Sequence, residues 1–178
     1  MEEARIVLGI AGMKPGKYEY DFKIGKAYFE MYEYSSLKQG NLTLNVKVDR
    51  NVYTMSINME VKGSVNVECD HCTGEMPLTI SGKLEILGKI SNEEVDHGAM
   101  DDEDFMMIDP IANELDLSKH VYDLIYMSLP LKRVCEKPGD QEYCNQEILK
   151  KLESYKTYDD GLDGESDPRW DKLKDLLN

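Results

Sequence analysis

The chain has few of the residues and motifs on which most enzymes and membrane-spanning proteins depend. Its 178 residues include three histidines and one tryptophan. It has no glycine-rich phosphate loop, no G-x-S-x-G turn and no H-E-x-x-H motif. No apolar run approaches the roughly 20 residues that cross a bilayer. We therefore expect a non-enzymatic protein with no membrane partner.

Positive charge is also scarce, and the shortage is concentrated in the second half of the chain. The formal net charge is −14, with 11 basic and 12 acidic residues in 1–89 but 10 basic and 23 acidic residues in 90–178. Because phosphates repel negative charge, the first half is the only large region that we expect to face a nucleic acid. The acidic stretch 91–104 lacks EF-hand spacing and predicts a solvated loop.

The beginning of the chain is not typical of a secretory signal. Glu2 and Glu3 stand where such a signal carries positive charge, and the apolar stretch that follows is too short. We expect a cytoplasmic, reducing location, where lasting disulfides are uncommon.

The four cysteines are the most informative feature that is present, because they form two separated pairs. Cys69 and Cys72 have the C-x-x-C spacing of a zinc knuckle, a tight turn whose backbone N–H groups point at the two sulfurs. Gly74 follows and permits the positive φ that such turns often need. Cys135 and Cys144 flank turn-forming residues that can present both thiols. Together the four predict one structural zinc site with a closed coordination shell.

Three other interpretations of the cysteines remain open from sequence alone. The pairs can be disulfides, which the expected compartment disfavours. Cys69 and Cys72 can be a redox pair, but that chemistry places the motif at the start of a helix, and here Pro77 and an alternating segment predict a strand. Finally, all four can be unliganded thiols.

Alternation of apolar and polar residues dominates the chain and predicts an α+β protein. We expect a β-rich core, either an antiparallel sheet or a partly open barrel, with a few packing helices. The predicted strands are Arg5–Ile10, Tyr18–Ile24, Leu42–Val48, Val52–Met59, Val65–Val67, Leu78–Ile90 (with a kink at Gly82) and Phe105–Ile108.

Helical signals appear mainly after the strands. The stretch Asp116-Leu117-Ser118 offers N-cap chemistry for a helix that runs to Leu129 and is closed by Pro130, and an amphipathic stretch predicts a second helix over 146–155. An Asp/Gly-rich linker and a short helix anchored by Trp170 follow. We therefore divide the chain into a β-rich domain at 1–155, with the cysteine site, and a linker with a C-terminal helix at 156–178.

The residues around the cysteines resemble those of the YceD-type large ribosomal RNA subunit accumulation proteins. The resemblance rests on the string Val67 to Cys72, the segment Ser128 to Leu131, Val134-Cys135 and Cys144. The closing segment Asp167 to Leu173 is similar to that of Bacteroidetes-like members. Family members often carry histidine at the position of Cys135, and both residues are good zinc ligands.

The resemblance implies a bacterial cytoplasmic factor for accumulation or processing of the large-subunit (23S) ribosomal RNA, with no catalytic residues to assign. Its partners would be that RNA, a precursor of the large subunit, or a basic ribosomal protein. The residues themselves add a basic cluster beside the predicted zinc site, Lys132, Arg133 and Lys137, which can touch phosphates, and Trp170 as an anchor for a partner.

Two other functions compete with this one. The first is an acidic adaptor or chaperone that holds a basic partner without touching RNA, which the excess of acidic residues favours. The second is a redox sensor that uses Cys69 and Cys72.

Overall fold

The computed structural model describes residues 4–33, 35–91, 105–135 and 140–156. The predicted acidic loop lies almost entirely outside these residues, as do the linker, the C-terminal helix with Trp170, and Lys137. The described elements follow in chain order: β1 (Val7–Gly9), β2 (Gly16–Ile24), α1 (Lys26–Phe29), β3 (Gly40–Arg50), β4 (Thr54–Glu68), β5 (Glu75–Ile90), β6 (Phe105–Ile108), β7 (Glu114–Asp116), α2 (Ser118–Met127), a 3₁₀ turn (Asp140–Tyr143) and α3 (Gln146–Lys156).

A five-stranded sheet with strand order β2-β3-β4-β5-β6 forms the centre of the protein. Strands β2 to β5 are antiparallel neighbours, whereas β6 pairs with β5 in parallel. The expected β-rich α+β fold is confirmed, but the sheet is mixed and does not close into a barrel. Parallel neighbours need a connection of about a dozen residues or more, which the stretch 91–104 provides.

Alternation along the strands places the core on one face of this sheet. On β3 the inward residues Leu42, Leu44 and Val46 are at most 1% exposed, and the alternating Asn41, Thr43 and Lys47 are exposed. Strands β4 and β5 continue the same pattern, with Ile57 opposite Ile86 on the buried face. The other face of the sheet is polar.

Helix α2 covers the buried face by crossing β4 and β5. A side chain at Gly82 would meet it, because a Cβ there would lie 1.9 Å from Ser128 Oγ and 3.1 Å from Leu124 Cδ1. Gly82 is therefore a site of close approach between helix and sheet. It does not interrupt β5, which continues through it from Glu75 to Ile90.

A small two-stranded sheet of β1 and β7 adds to the core, with Ile6, Leu8 and Ile10 at most 4% exposed. Sequence patterns had not predicted β7. The helix start was expected at Asp116-Leu117-Ser118, and the structure agrees: Asp116 is the last residue of β7, Leu117 is the N-cap and Ser118 is the first residue of α2. Asp116 still makes the hydrogen bond to the start of the helix that was expected of it, since its Oδ1 accepts from the backbone N–H of Ser118 at 2.8 Å.

Helix α3 agrees with the prediction and begins at Gln146. Asn145 precedes it, and its Oδ1 accepts hydrogen bonds from Glu147 N and Ile148 N at 3.2 and 3.4 Å, which is the pattern of an N-cap. In the parts of the chain described above, no helix is long and apolar enough to span a bilayer.

Candidate metal centre

The turn between β4 and β5 carries the first cysteine pair. Within it Cys69 N donates to Gly74 O at 2.9 Å, Thr73 N donates to Cys69 O at 3.0 Å, and His71 N points at Cys69 Sγ at 3.4 Å. Both sulfurs belong to buried residues, whereas His71 is exposed. This is the strand–turn–strand geometry expected of a zinc knuckle. It also places the C-x-x-C motif away from a helix start, unlike a redox pair.

The positive φ in this turn is at Thr73, at 55°, and not at Gly74 as expected. Gly74 is needed for another reason. A Cβ at position 74 would lie 2.0 Å from the carbonyl oxygen of Tyr143 and 3.3 Å from Asn145 N. The backbone on both sides of Cys144 therefore lies directly on the knuckle, and this contact requires a residue without a side chain.

The structure brings all four predicted cysteines together around Cys135. Its Sγ lies 3.5 Å from Cys69 Sγ, 3.3 Å from Cys72 Sγ and 2.8 Å from Cys144 Sγ. The sulfurs of Cys69, Cys72 and Cys135 all lie within 4.8 Å of one another and form a group that could hold a metal ion. Cys144 contacts Cys135 but is not part of this group, and it is less deeply buried than the other three.

The distances from Cys135 to Cys69 and Cys72 fit metal coordination better than disulfide bonding, and the distance to Cys144 lies between the two. A tetrahedral zinc site with Zn–S bonds of about 2.3 Å has sulfur–sulfur edges of about 3.8 Å, whereas a disulfide has an S–S bond of about 2.05 Å. Two of the three distances are within half an ångström of that edge, and the Cys135–Cys144 distance is about 1 Å shorter. All four residues are free thiols.

The thiols differ in acidity because their hydrogen bonds differ. Burial raises the pKa of Cys72, but backbone N–H groups of Asn145 and Gly74 and the thiols of Cys135 and Cys69 outweigh it and lower that pKa to about 7. The pKa of Cys135 is raised, first by its hydrogen bond with Cys144 and then by burial. The knuckle thus already stabilises a thiolate, the form that binds a metal.

Asp70 joins the knuckle to the irregular segment that carries Cys135. Its N–H donates to Arg133 O at 2.7 Å, while its carboxylate accepts from Arg133 N at 2.8 Å and from Arg133 Nη2 at 2.9 Å. The pKa of Asp70 is lowered, first by the backbone N–H of Arg133 and then by its guanidinium. Arg133 was predicted as a phosphate contact and is here ion-paired.

The other predicted binding residues are less constrained by the structure. Lys132 is exposed next to this pair, and Lys137 and Trp170 lie outside the described residues. Sequence patterns did not indicate the roles of Asp70 or of Gly74 as a contact point. Asn145 could have been found, because an asparagine directly before an amphipathic stretch is a recognised helix-start signal.

The fold and site together define a β-sheet protein with a buried cysteine cluster suited to a metal ion. The family model of the large ribosomal RNA subunit accumulation protein YceD matches residues 57–177, which include both cysteine pairs. The chain belongs to this family, as the resemblance in its sequence indicated. Searches of curated proteins and of solved structures found no match.

Proposed function

We propose that this protein is a non-enzymatic ribosome-biogenesis factor that promotes accumulation or processing of the large-subunit ribosomal RNA. Membership of the YceD family carries this proposal, since the family is described by its role in large ribosomal RNA accumulation. In the cytoplasm the protein would bind that RNA, or a ribosomal protein, on a precursor of the large subunit.

A zinc ion held by Cys69, Cys72, Cys135 and Cys144 is part of the proposal. Support comes from the donor set, since thiolates select zinc, copper(I) or iron over harder ions, and from the 3.3 and 3.5 Å sulfur separations. A site with four protein ligands leaves no open position for water, so its role would be structural. It would join segments 63 residues or more apart in the chain, from Cys72 to Cys135.

The proposed RNA contact lies beside this site. Lys132 is exposed, and Lys137 follows close in the sequence. Arg133 is paired with Asp70 through one guanidinium nitrogen, and its side chain is 30% exposed, so donors remain for a phosphate. Trp170 would anchor a protein partner through the proposed C-terminal helix of the segment 156–178.

Sedimentation of a lysate with tagged protein tests the role in subunit assembly. The tag should comigrate with precursor large-subunit RNA in a sucrose gradient, and depletion of the protein should lower the amount of mature large-subunit RNA. A tag that stays at the top of the gradient, with normal RNA levels after depletion, would contradict the proposal.

RNA cross-linking tests the contact surface. A Lys132→Glu/Lys137→Glu variant should lose most cross-linking, because repulsion replaces attraction to phosphates. A Lys150→Glu/Lys151→Glu variant on exposed positions of α3 changes the charge equally and serves as the matched control. Arg133 is left unchanged, because its loss would also break the pair with Asp70.

An acidic adaptor for a basic partner is the second candidate, favoured by the 23 acidic and 10 basic residues of the second half. It predicts that the Lys132→Glu/Lys137→Glu variant still comigrates with precursor particles and still captures a basic ribosomal protein. Loss of comigration in that variant would count against the adaptor and for RNA contact.

A further inference from the structure

We infer that Asp70 and Arg133 form a brace that positions Cys135 against the knuckle and thereby slows release of the metal ion. The inference rests on the metal site proposed above and assigns it two positioning residues that are not ligands. Neither residue has a thiol or imidazole, and neither was indicated by cysteine spacing.

Three hydrogen bonds make up the brace. Asp70 N–H donates to Arg133 O at 2.7 Å, Arg133 N–H donates to Asp70 Oδ2 at 2.8 Å, and Arg133 Nη2 donates to Asp70 Oδ1 at 2.9 Å. One residue of the pair follows a ligand directly, since Asp70 is next to Cys69. The other precedes Cys135 by two positions. A shift of either segment would therefore move a sulfur.

The segment that carries Cys135 is packed only in part. It leaves α2 near Ser128 and passes through Leu131 and Lys132, which are both exposed and contribute little packing. Leu129 and Val134 on either side of them are partly buried against the core. Asp70 supplies both a backbone and a side-chain partner for Arg133, so directional bonds add to this packing in fixing the position of Cys135.

The brace should influence metal retention more than global stability. The ion pair is partly exposed, with 30% and 37% of the Arg133 and Asp70 side chains accessible, and such pairs contribute little to unfolding free energy. Partners that orient ligands, in contrast, change metal affinity by about 10- to 100-fold. Bound metal itself stabilises the folded state, so the two roles are separated in the metal-free protein, whose thermal stability a purely structural role would lower and the brace would leave nearly unchanged.

Replacing each of the two residues removes a different number of hydrogen bonds, so the two variants should differ in their effect. Asp70→Ala removes both bonds to the carboxylate, whereas Arg133→Ala removes only the bond from Nη2. Asp49→Ala is the matched control, since it removes an exposed aspartate paired with Lys17 at 3.8 Å on the sheet. All three variants are compared as full chains loaded with zinc.

The experiment measures zinc release from the loaded proteins into an excess of a chromogenic chelator, and circular dichroism follows thermal unfolding of the same proteins without metal. We expect Asp70→Ala to release zinc at least tenfold faster than the wild type, Arg133→Ala to fall between them, and Asp49→Ala to stay within about twofold of the wild type. Equal release from all four proteins, or faster release from Arg133→Ala than from Asp70→Ala, would overturn the brace.

Amide hydrogen exchange at Arg133 separates failure of the brace from failure of the metal site. The wild-type amide should be protected and the Asp70→Ala amide exposed, with or without metal, because the acceptor is the Asp70 carboxylate. A wild-type chain that binds no zinc would overturn the metal site and its retention by the brace. An unprotected wild-type amide would overturn the brace itself.

Discussion

Gly74 and the carbonyl oxygen of Tyr143 are so close that no side chain fits at position 74. A Cβ there would lie 2.0 Å from that oxygen, far inside van der Waals contact. Since Tyr143 directly precedes Cys144, this contact sets the position of the fourth cysteine relative to the knuckle. The two cysteine pairs therefore meet through backbone contact as well as through their sulfurs.

Gly74→Ala should displace the Cys144 segment and weaken metal binding. Overpacking of this kind costs about 1–3 kcal/mol, and we expect the unfolding free energy to fall by about 2 kcal/mol in urea titrations, with less zinc retained after dialysis. Gly9→Ala is the control, because nothing lies within 4 Å of a Cβ at that position. Equal stability and zinc content in both variants would contradict the contact.

Removal of the metal should destabilise the protein without unfolding it. A ligand at a thousandfold excess over its Kd contributes about 4 kcal/mol, which corresponds to a fall in Tm of roughly 10 °C for a chain of this length. Differential scanning calorimetry with and without a chelator measures the fall. A Cys72→Ser/Cys135→Ser variant should have the lower Tm already and should not respond to the chelator.

Gly82→Ala should push α2 away from β5. The added Cβ would lie 1.9 Å from Ser128 Oγ, and we expect a loss of about 1–3 kcal/mol in unfolding free energy. Ser128→Ala removes that oxygen, so the double variant should recover part of the loss. A double-mutant cycle without coupling between the two positions would show that the contact does not limit packing there.

Asp116 should give the protein a pH-dependent contribution to stability. Burial raises the pKa of Asp116, but the hydroxyl and N–H of Ser118 and the guanidinium of Arg5 outweigh it, and the pKa is lowered. The unfolded value is about 3.9, so the contribution is fully present above that pH and is lost as pH falls through the lower folded pKa.

Asp116→Asn tests this by comparison with the wild type. The variant should be less stable by about 1 kcal/mol at pH 6, because a charge-assisted hydrogen bond is lost at a partly exposed site. The difference should shrink towards pH 2 in urea titrations. A difference that is constant from pH 6 to pH 2 would mean that the charge of Asp116 contributes nothing.

Most of the sheet could be predicted from the sequence, because apolar and polar residues that alternate over a long segment indicate a half-buried strand. Leu42 to Val48 lie in β3, and Phe105 to Ile108 form β6 as predicted. Strand β7 was not predicted, because it has three residues, too few for a periodic pattern. Strand β7 exists because β1 is available to pair with it.

The candidate metal site was also predictable only in part. Spacing and residue chemistry identified the four thiols as possible ligands of one metal ion. They also indicated that a turn between strands would present the first pair. Spacing cannot show that Cys135 lies 3.3 to 3.5 Å from the knuckle sulfurs, since that distance depends on where α2 packs.

The sequence by itself determined the alternating strands, the knuckle turn and the family, because these depend on local periodicity and on residue types at fixed spacing. Only the tertiary structure decided the convergence of both cysteine pairs, the pairing of Asp70 with Arg133 and the need for glycine at position 74. Each of these joins residues more than 60 positions apart, and no local pattern encodes which distant backbone will pack against a given turn.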